Sequence, residues 1–82
     1  MEVIEIPKGQ KARVLWYIQN YKSITPHEAL KEFGIMRLAA VIFELRKEYD
    51  IETVMEKAKN RFGEDVQYAR YLYYGVKEAA NG

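Results

Sequence analysis

The side chains of this chain of 82 residues that can meet a polyanion fall into three groups. Thr25 and His27 open an apolar-periodic segment, where the free N–H groups of a first helical turn attract negative charge. Arg37, Ala40 and Lys47 follow in a later segment, placed to share one face of a helix. An arginine fork there bonds guanine O6 and N7 together, and alanine is small enough to touch a thymine methyl. Lys47, with its neighbour Arg46, would flank such a groove. Lys57, Lys59 and Arg61 then cluster with no acid among them, a composition that neutralises phosphates. The chemistry implied is anion binding and base reading. The competing account of each cation is a solvated surface side chain, and of Thr25 a simple helix cap.

Bond-making chemistry has little to stand on. The chain has no cysteine and one histidine, which lies beside a helix start. No glycine-rich phosphate loop appears, and nothing pairs a nucleophile with a base. A solitary histidine without cysteine or a spaced acid–histidine set makes no metal site. The expectation is a protein that is not an enzyme, with no cofactor, metal or small-molecule substrate. The lack of cysteine excludes a disulfide scaffold and suits the cytosol. No apolar run approaches the roughly 20 residues of a membrane span, so a soluble, cytoplasmic protein without a membrane partner is expected.

The net charge of +1 gives little overall attraction to nucleic acid, so distribution carries more than the sum. Lys8, Lys11, Arg13 and Lys22 form one acid-free basic stretch, and Lys57 to Arg61 form another. Acids gather at Glu2 and Glu5, between Glu44 and Glu56, and at Glu64 and Asp65.

The elements that must position these groups are legible as patterns. Residues 1–7 form an N-terminal arm or short strand, residues 8–74 the domain, and residues 75–82 a flexible tail. A first helix is expected from Lys8 to Asn20, with Val14, Leu15, Ile18 and Tyr21 as its buried stripe and Trp16 opposite them. Lys22 to Ile24 has room for one short strand. Thr25 as N-cap, Pro26 at the first helical position and Glu28 completing a capping box start a second helix, which Gly34 ends after Phe33. Ala29, Leu30 and Phe33 are its inward residues. A third helix is expected from Met36 to Glu48. Leu38, Ile42, Leu45 and Tyr49 face in, and Met36, Arg37, Ala40, Phe43, Glu44 and Lys47 face out. The period then changes from 3.6 to 2 over Ile51 to Lys57 and Val66 to Tyr73, two strands joined by a polar loop from Ala58 to Asp65. Two short helices joined at a glycine turn make a helix-turn-helix, and the hairpin after it makes a wing. The expected class is α+β: a winged helix-turn-helix, three helices followed by an antiparallel β-hairpin wing.

The run KARVLWYIQNYKSITPHEALKEFGIMRLAAVIFELRKEYDIET, followed by YARYLY, resembles the small winged helix-turn-helix domains common in phages and prophages. The shared pattern is an ITP-x-EAL second helix, a G-I turn, an RLAA-x-I-x-ELR third helix and a YDIET first wing strand, covering roughly Lys11 to Tyr73. The resemblance implies a DNA-binding transcriptional regulator acting on double-stranded DNA, with helix 3 in the major groove. It would work as a homodimer, because one short reading helix gives little specificity.

Three positions depart from that pattern, each from polar to apolar: Trp16 in helix 1, and Met36 and Val41 on helix 3. With Phe43 they compose an apolar surface of the kind that marks protein interfaces. The rival reading is therefore a protein-binding winged helix, a phage-encoded inhibitor or adaptor of a host protein. A third reading takes Tyr68, Tyr71, Tyr73 and Tyr74 as a platform for stacking single-stranded bases.

Overall fold

In the computed structural model of the chain, residues 9–77 are described. The expected arm over residues 1–7, Lys8 of the first basic stretch, and the tail from residue 78 onward lie outside them. The order of elements is α1 (Gln10–Tyr21), β1 (Ser23–Ile24), α2 (Pro26–Phe33), α3 (Leu38–Leu45), β2 (Tyr49–Lys59) and β3 (Asp65–Val76). The strands form one antiparallel sheet in the order β1-β3-β2.

Local chemistry accounts for α2 at both ends. The Thr25 hydroxyl accepts from the Glu28 N–H at 3.2 Å, and the Glu28 carboxylate accepts from the Thr25 N–H at 2.9 Å. Two N–H groups that a helix start leaves bare are thus satisfied reciprocally. Gly34 closes the helix at φ 68°, a left-handed conformation open to glycine at little cost. The expected bounds of this helix hold residue for residue.

Helix α3 is shorter than expected. It begins at Leu38, because Arg37 sits at the cap with φ −116° and ψ 57° and no side chain caps the turn. Ile35 is buried in the preceding turn at 2% exposure, which anchors that turn to the core and keeps it out of the helix. Helix α1 runs from Gln10 to Tyr21 and stops at Lys22, whose φ of 70° turns the chain into β1.

The core lies where the three helices meet the base of the sheet. Val14 and Ile18 of α1, Ile24 of β1, Ile35, and Ile42 and Leu45 of α3 are its largest fully buried side chains. Ala29, Leu38, Val41, Ile51 and Tyr71 complete it. Full burial of such aliphatic groups stabilises by about 1.5–3 kcal/mol each.

Four expectations of burial need correction. Tyr21 and Leu30 are expected inside, yet they are 60% and 49% exposed: Leu30 lies one step round α2 from Ala29, whereas Tyr21 shares the face of Val14 but is the last residue of α1. Val41, expected on an outer apolar surface, is 9% exposed, because Leu38, Val41, Ile42 and Leu45 form the 3, 4, 7 stripe that α3 turns inward. Trp16 is half-buried rather than opposite the core, with Tyr21 packed edge-on to it at 6.4 Å.

The hairpin is longer and its loop tighter than expected. The ladder runs from Tyr49 opposite Val76 to Lys59 opposite Asp65. Gly75 and Val76, expected in the tail, therefore continue β3. Only residues 60–64 form the turn. The Asn60 side-chain oxygen accepts from the N–H groups of Phe62 and Glu64 at 2.9 and 3.0 Å, and Gly63 takes φ 78°. No residue from 52 to 70 is fully buried, so the outer hairpin projects past the helices as a free wing. The molecule is accordingly flat, 48 Å at its longest and 21 Å at its thinnest.

Candidate nucleic-acid interface

Helix α3 and its cap present one polar stripe. Arg37, Ala40, Glu44 and Lys47, spaced three, four and three apart, are all exposed. Arg37 leads the stripe at the helix N-terminus, and its side chain makes no hydrogen bond or ion pair with another described residue. Lys47 is held differently. Its ammonium lies 3.3 Å from Glu44 and 5.4 Å from the centre of the Phe43 ring. Beside this stripe stand Met36 and Phe43, 83% and 64% exposed.

Arg46 does not flank the groove. Its guanidinium turns back to the sheet, where Nε donates to the Ile51 carbonyl at 3.0 Å and Nη2 to the Thr53 hydroxyl at 2.6 Å. This contact joins α3 to the first wing strand.

At the start of α2 the two expected residues part ways. Thr25 is 4% exposed and its hydroxyl belongs to the cap, which removes it as a phosphate contact. His27 is exposed. Pro26 has no N–H and that of Glu28 is taken, so this helix start offers an anion little beyond the His27 N–H. A pocket of about 360 Å³ lies here, lined by Thr25, Pro26, His27, Glu28, Tyr68 and Arg70.

The wing cations are on strand and turn. Lys57 and Lys59 lie within β2, opposite Gln67 and Asp65, and Arg61 lies in the turn. Side chains alternate along a strand, so Lys57 and Lys59 share the face of Ile51 and Thr53, which packs against α3 and Arg46. Beyond the helices that same face carries the two lysines outward. Lys59 is paired with Asp65 at 2.7 Å, both ends well exposed. Lys57 and Arg61 have no charged partner among the described residues.

The tyrosines do not make a stacking platform. Tyr71 belongs to the core, Tyr73 packs on Tyr49 at 6.0 Å, and the Tyr74 hydroxyl donates to Glu52 at 2.8 Å. Of Tyr68, Tyr71, Tyr73 and Tyr74, only Tyr74 is largely exposed.

Sequence reasoning missed Arg70. From β3 its Nε donates to Glu56 at 2.9 Å and a terminal nitrogen to the Ser23 hydroxyl at 3.0 Å, with the Glu28 carboxylate 4.0 Å from that same nitrogen. Hydrogen bonds from Tyr68 and Arg70 hold the Glu56 carboxyl below its ordinary pKa, and the same bond to Glu56 raises the Tyr68 phenol. The signal available was an arginine inside the otherwise apolar and aromatic run YARYLYY.

Three helices, a tight glycine turn before the third, and a hairpin that reaches past them with basic side chains define a winged helix-turn-helix, a fold whose general use is docking a helix on duplex DNA. A family model described as a winged helix-turn-helix domain matches residues 9–74, and the chain belongs to that family. Neither a curated protein nor a solved structure matches it. Among the described residues no helix is long and apolar enough to cross a membrane.

Proposed function

We propose that this protein is a transcriptional regulator of phage or prophage type that binds double-stranded DNA in the cytoplasm of its host. Helix α3 enters the major groove with Arg37 leading, Ala40 allows close approach, and the wing lays Lys57 and Arg61 along the phosphates. The observation that carries this reading is Arg37, exposed and without a polar partner among the described residues at the N-terminus of α3. A helix of eight residues reads few base pairs, so the working form is a homodimer on two half-sites. Selection of bound duplexes from a random library, repeated with Arg37→Ala, tests the docking. The variant should lose about 1–3 kcal/mol of discrimination at one base pair. An unchanged selected motif would show that Arg37 reads no base.

Met36 and Phe43 favour a second reading. Large apolar side chains this exposed on the reading helix suit a protein surface better than a groove rim. In that reading the protein is an adaptor or inhibitor that meets a host protein through α3. Replacing both with serine should then abolish partner capture and leave duplex binding unchanged.

A further inference from the structure

We infer that Arg70 is the positioning residue that sets the angle of the wing, and that it governs DNA docking without touching DNA. Its guanidinium joins four elements. It stands on β3, bonds Glu56 of β2 and Ser23 of β1, and faces Glu28 of α2. Glu28 is itself fixed by the capping box, so the wing is referred directly to the start of α2. A planar fork holds direction as well as distance, which a lysine at this place would not.

The position makes the joint consequential. Arg70 pairs with Val54, near the level where the hairpin leaves the core, with Ala69 one step further out still packed against it. No fully buried residue lies between these positions and the turn. Asp65 lies five residue steps along β3 from Arg70, a lever of roughly 17 Å. A swing of about ten degrees at Arg70 therefore moves the lysine end of the wing by roughly 3 Å, enough to break a hydrogen-bonded phosphate contact. Arg46 holds the base of β2 from the other face of the sheet, but it reaches no further out than Thr53.

The consequence for DNA rests on the function proposed above, so the test has two arms. The chain contains no cysteine, which allows Lys31→Cys on α2 and Gln67→Cys on the wing to be spin-labelled in the full chain without other changes. The distance distribution between the labels is measured with Arg70, with Arg70→Lys and with Glu56→Gln. Both variants should shift or broaden it by a few ångströms relative to the parent. Glu56→Gln keeps shape and drops only the ion pair, so it decides the question if the arginine variant folds poorly. A distribution unchanged in Glu56→Gln and in a folded Arg70→Lys overturns the inference. In the second arm, binding to a random-sequence duplex is titrated with salt. Arg70→Lys should weaken binding several-fold despite its retained charge, and Lys57→Ala should cost much less in that background than in the parent. Full rescue by lysine would make Arg70 a direct phosphate contact and overturn its positioning role. A parent protein that binds no duplex overturns the functional reading, and the label distances then uphold or overturn Arg70 as the joint on their own.

Discussion

The Nε of Arg46 donates to the Ile51 carbonyl at 3.0 Å, so the last turn of the reading helix is tied to the edge strand of the wing. In the proposed docking, helix and wing are the two parts that meet DNA together, and this bond fixes one against the other. Ile51 is 5% exposed, and a carbonyl there that loses a charged donor has poor access to water. Arg46→Met should therefore cost about 1–3 kcal/mol of stability in urea denaturation. A loss well below that range would mean that water replaces the guanidinium freely.

The reciprocal bonds between Thr25 and Glu28 make a second prediction. Thr25→Ala removes the hydroxyl from the cap and should destabilise by about 0.5–2 kcal/mol. Glu28→Gln keeps a cap acceptor and should cost far less, while weakening only the ion pair to Arg70. Chemical denaturation of the two variants side by side checks the order. Equal losses would show that the Glu28 charge, rather than the cap, holds this end of α2.

Helix α2 was legible to the residue because each end is written locally: a cap, a proline, a glutamate three positions on, and a glycine stop. The start of α3 carries no such signal. Burial of Ile35 and the cap conformation of Arg37, both tertiary in origin, decide it. The outward face of α3 was legible from the spacing of Leu38, Ile42 and Leu45, but leaving Val41 out of that stripe placed a core residue on the surface. The wing loop is shorter than its sequence suggests because Ala58, Lys59 and Asp65 have weak strand preference and are held by the ladder instead. The basic cluster was legible as composition, whereas the pairing of Lys59 with Asp65 depends on register. Arg70 needs β1, β2 and α2 assembled around it, so no local pattern could reveal its role.

Acid should loosen the joint around Glu56. Its carboxyl is held below the ordinary value of 4.5 by hydrogen bonds from Tyr68 and then Arg70. A group with a depressed folded pKa contributes stability above its unfolded pKa and loses it as pH falls through the folded one. This contribution is thus intact at neutral pH and disappears below about pH 4.5. Comparing urea midpoints at about pH 6 and about pH 3, Glu56→Gln should lose less on acidification than the parent. Identical losses would place the acid sensitivity elsewhere.

Lys59 and Lys57 differ in partner although both lie on the same face of β2. The bridge at 2.7 Å keeps Lys59 engaged with Asp65, whereas Lys57 has no charged partner among the described residues. Lys57→Ala should weaken binding to all duplex sequences alike and lower the salt slope by about one ion. Asp65→Asn should do the reverse, freeing Lys59 and tightening non-specific binding. Anisotropy titrations of both variants decide this, and a neutral effect of Asp65→Asn would mean that Lys59 stands away from the phosphates.

A phosphate-facing surface formed by α3 and the wing must hold duplex DNA of any sequence, so the decisive measurement is binding of the unmodified chain to a random-sequence duplex across a salt series. Dissociation constants of roughly 1–100 μM are expected at physiological salt, weakening steeply as salt rises, with a log–log slope of about −0.9 for each phosphate engaged. No binding even near about 50 mM salt would contradict such a surface, and the exposed Met36 and Phe43 would then mark a surface for a protein partner.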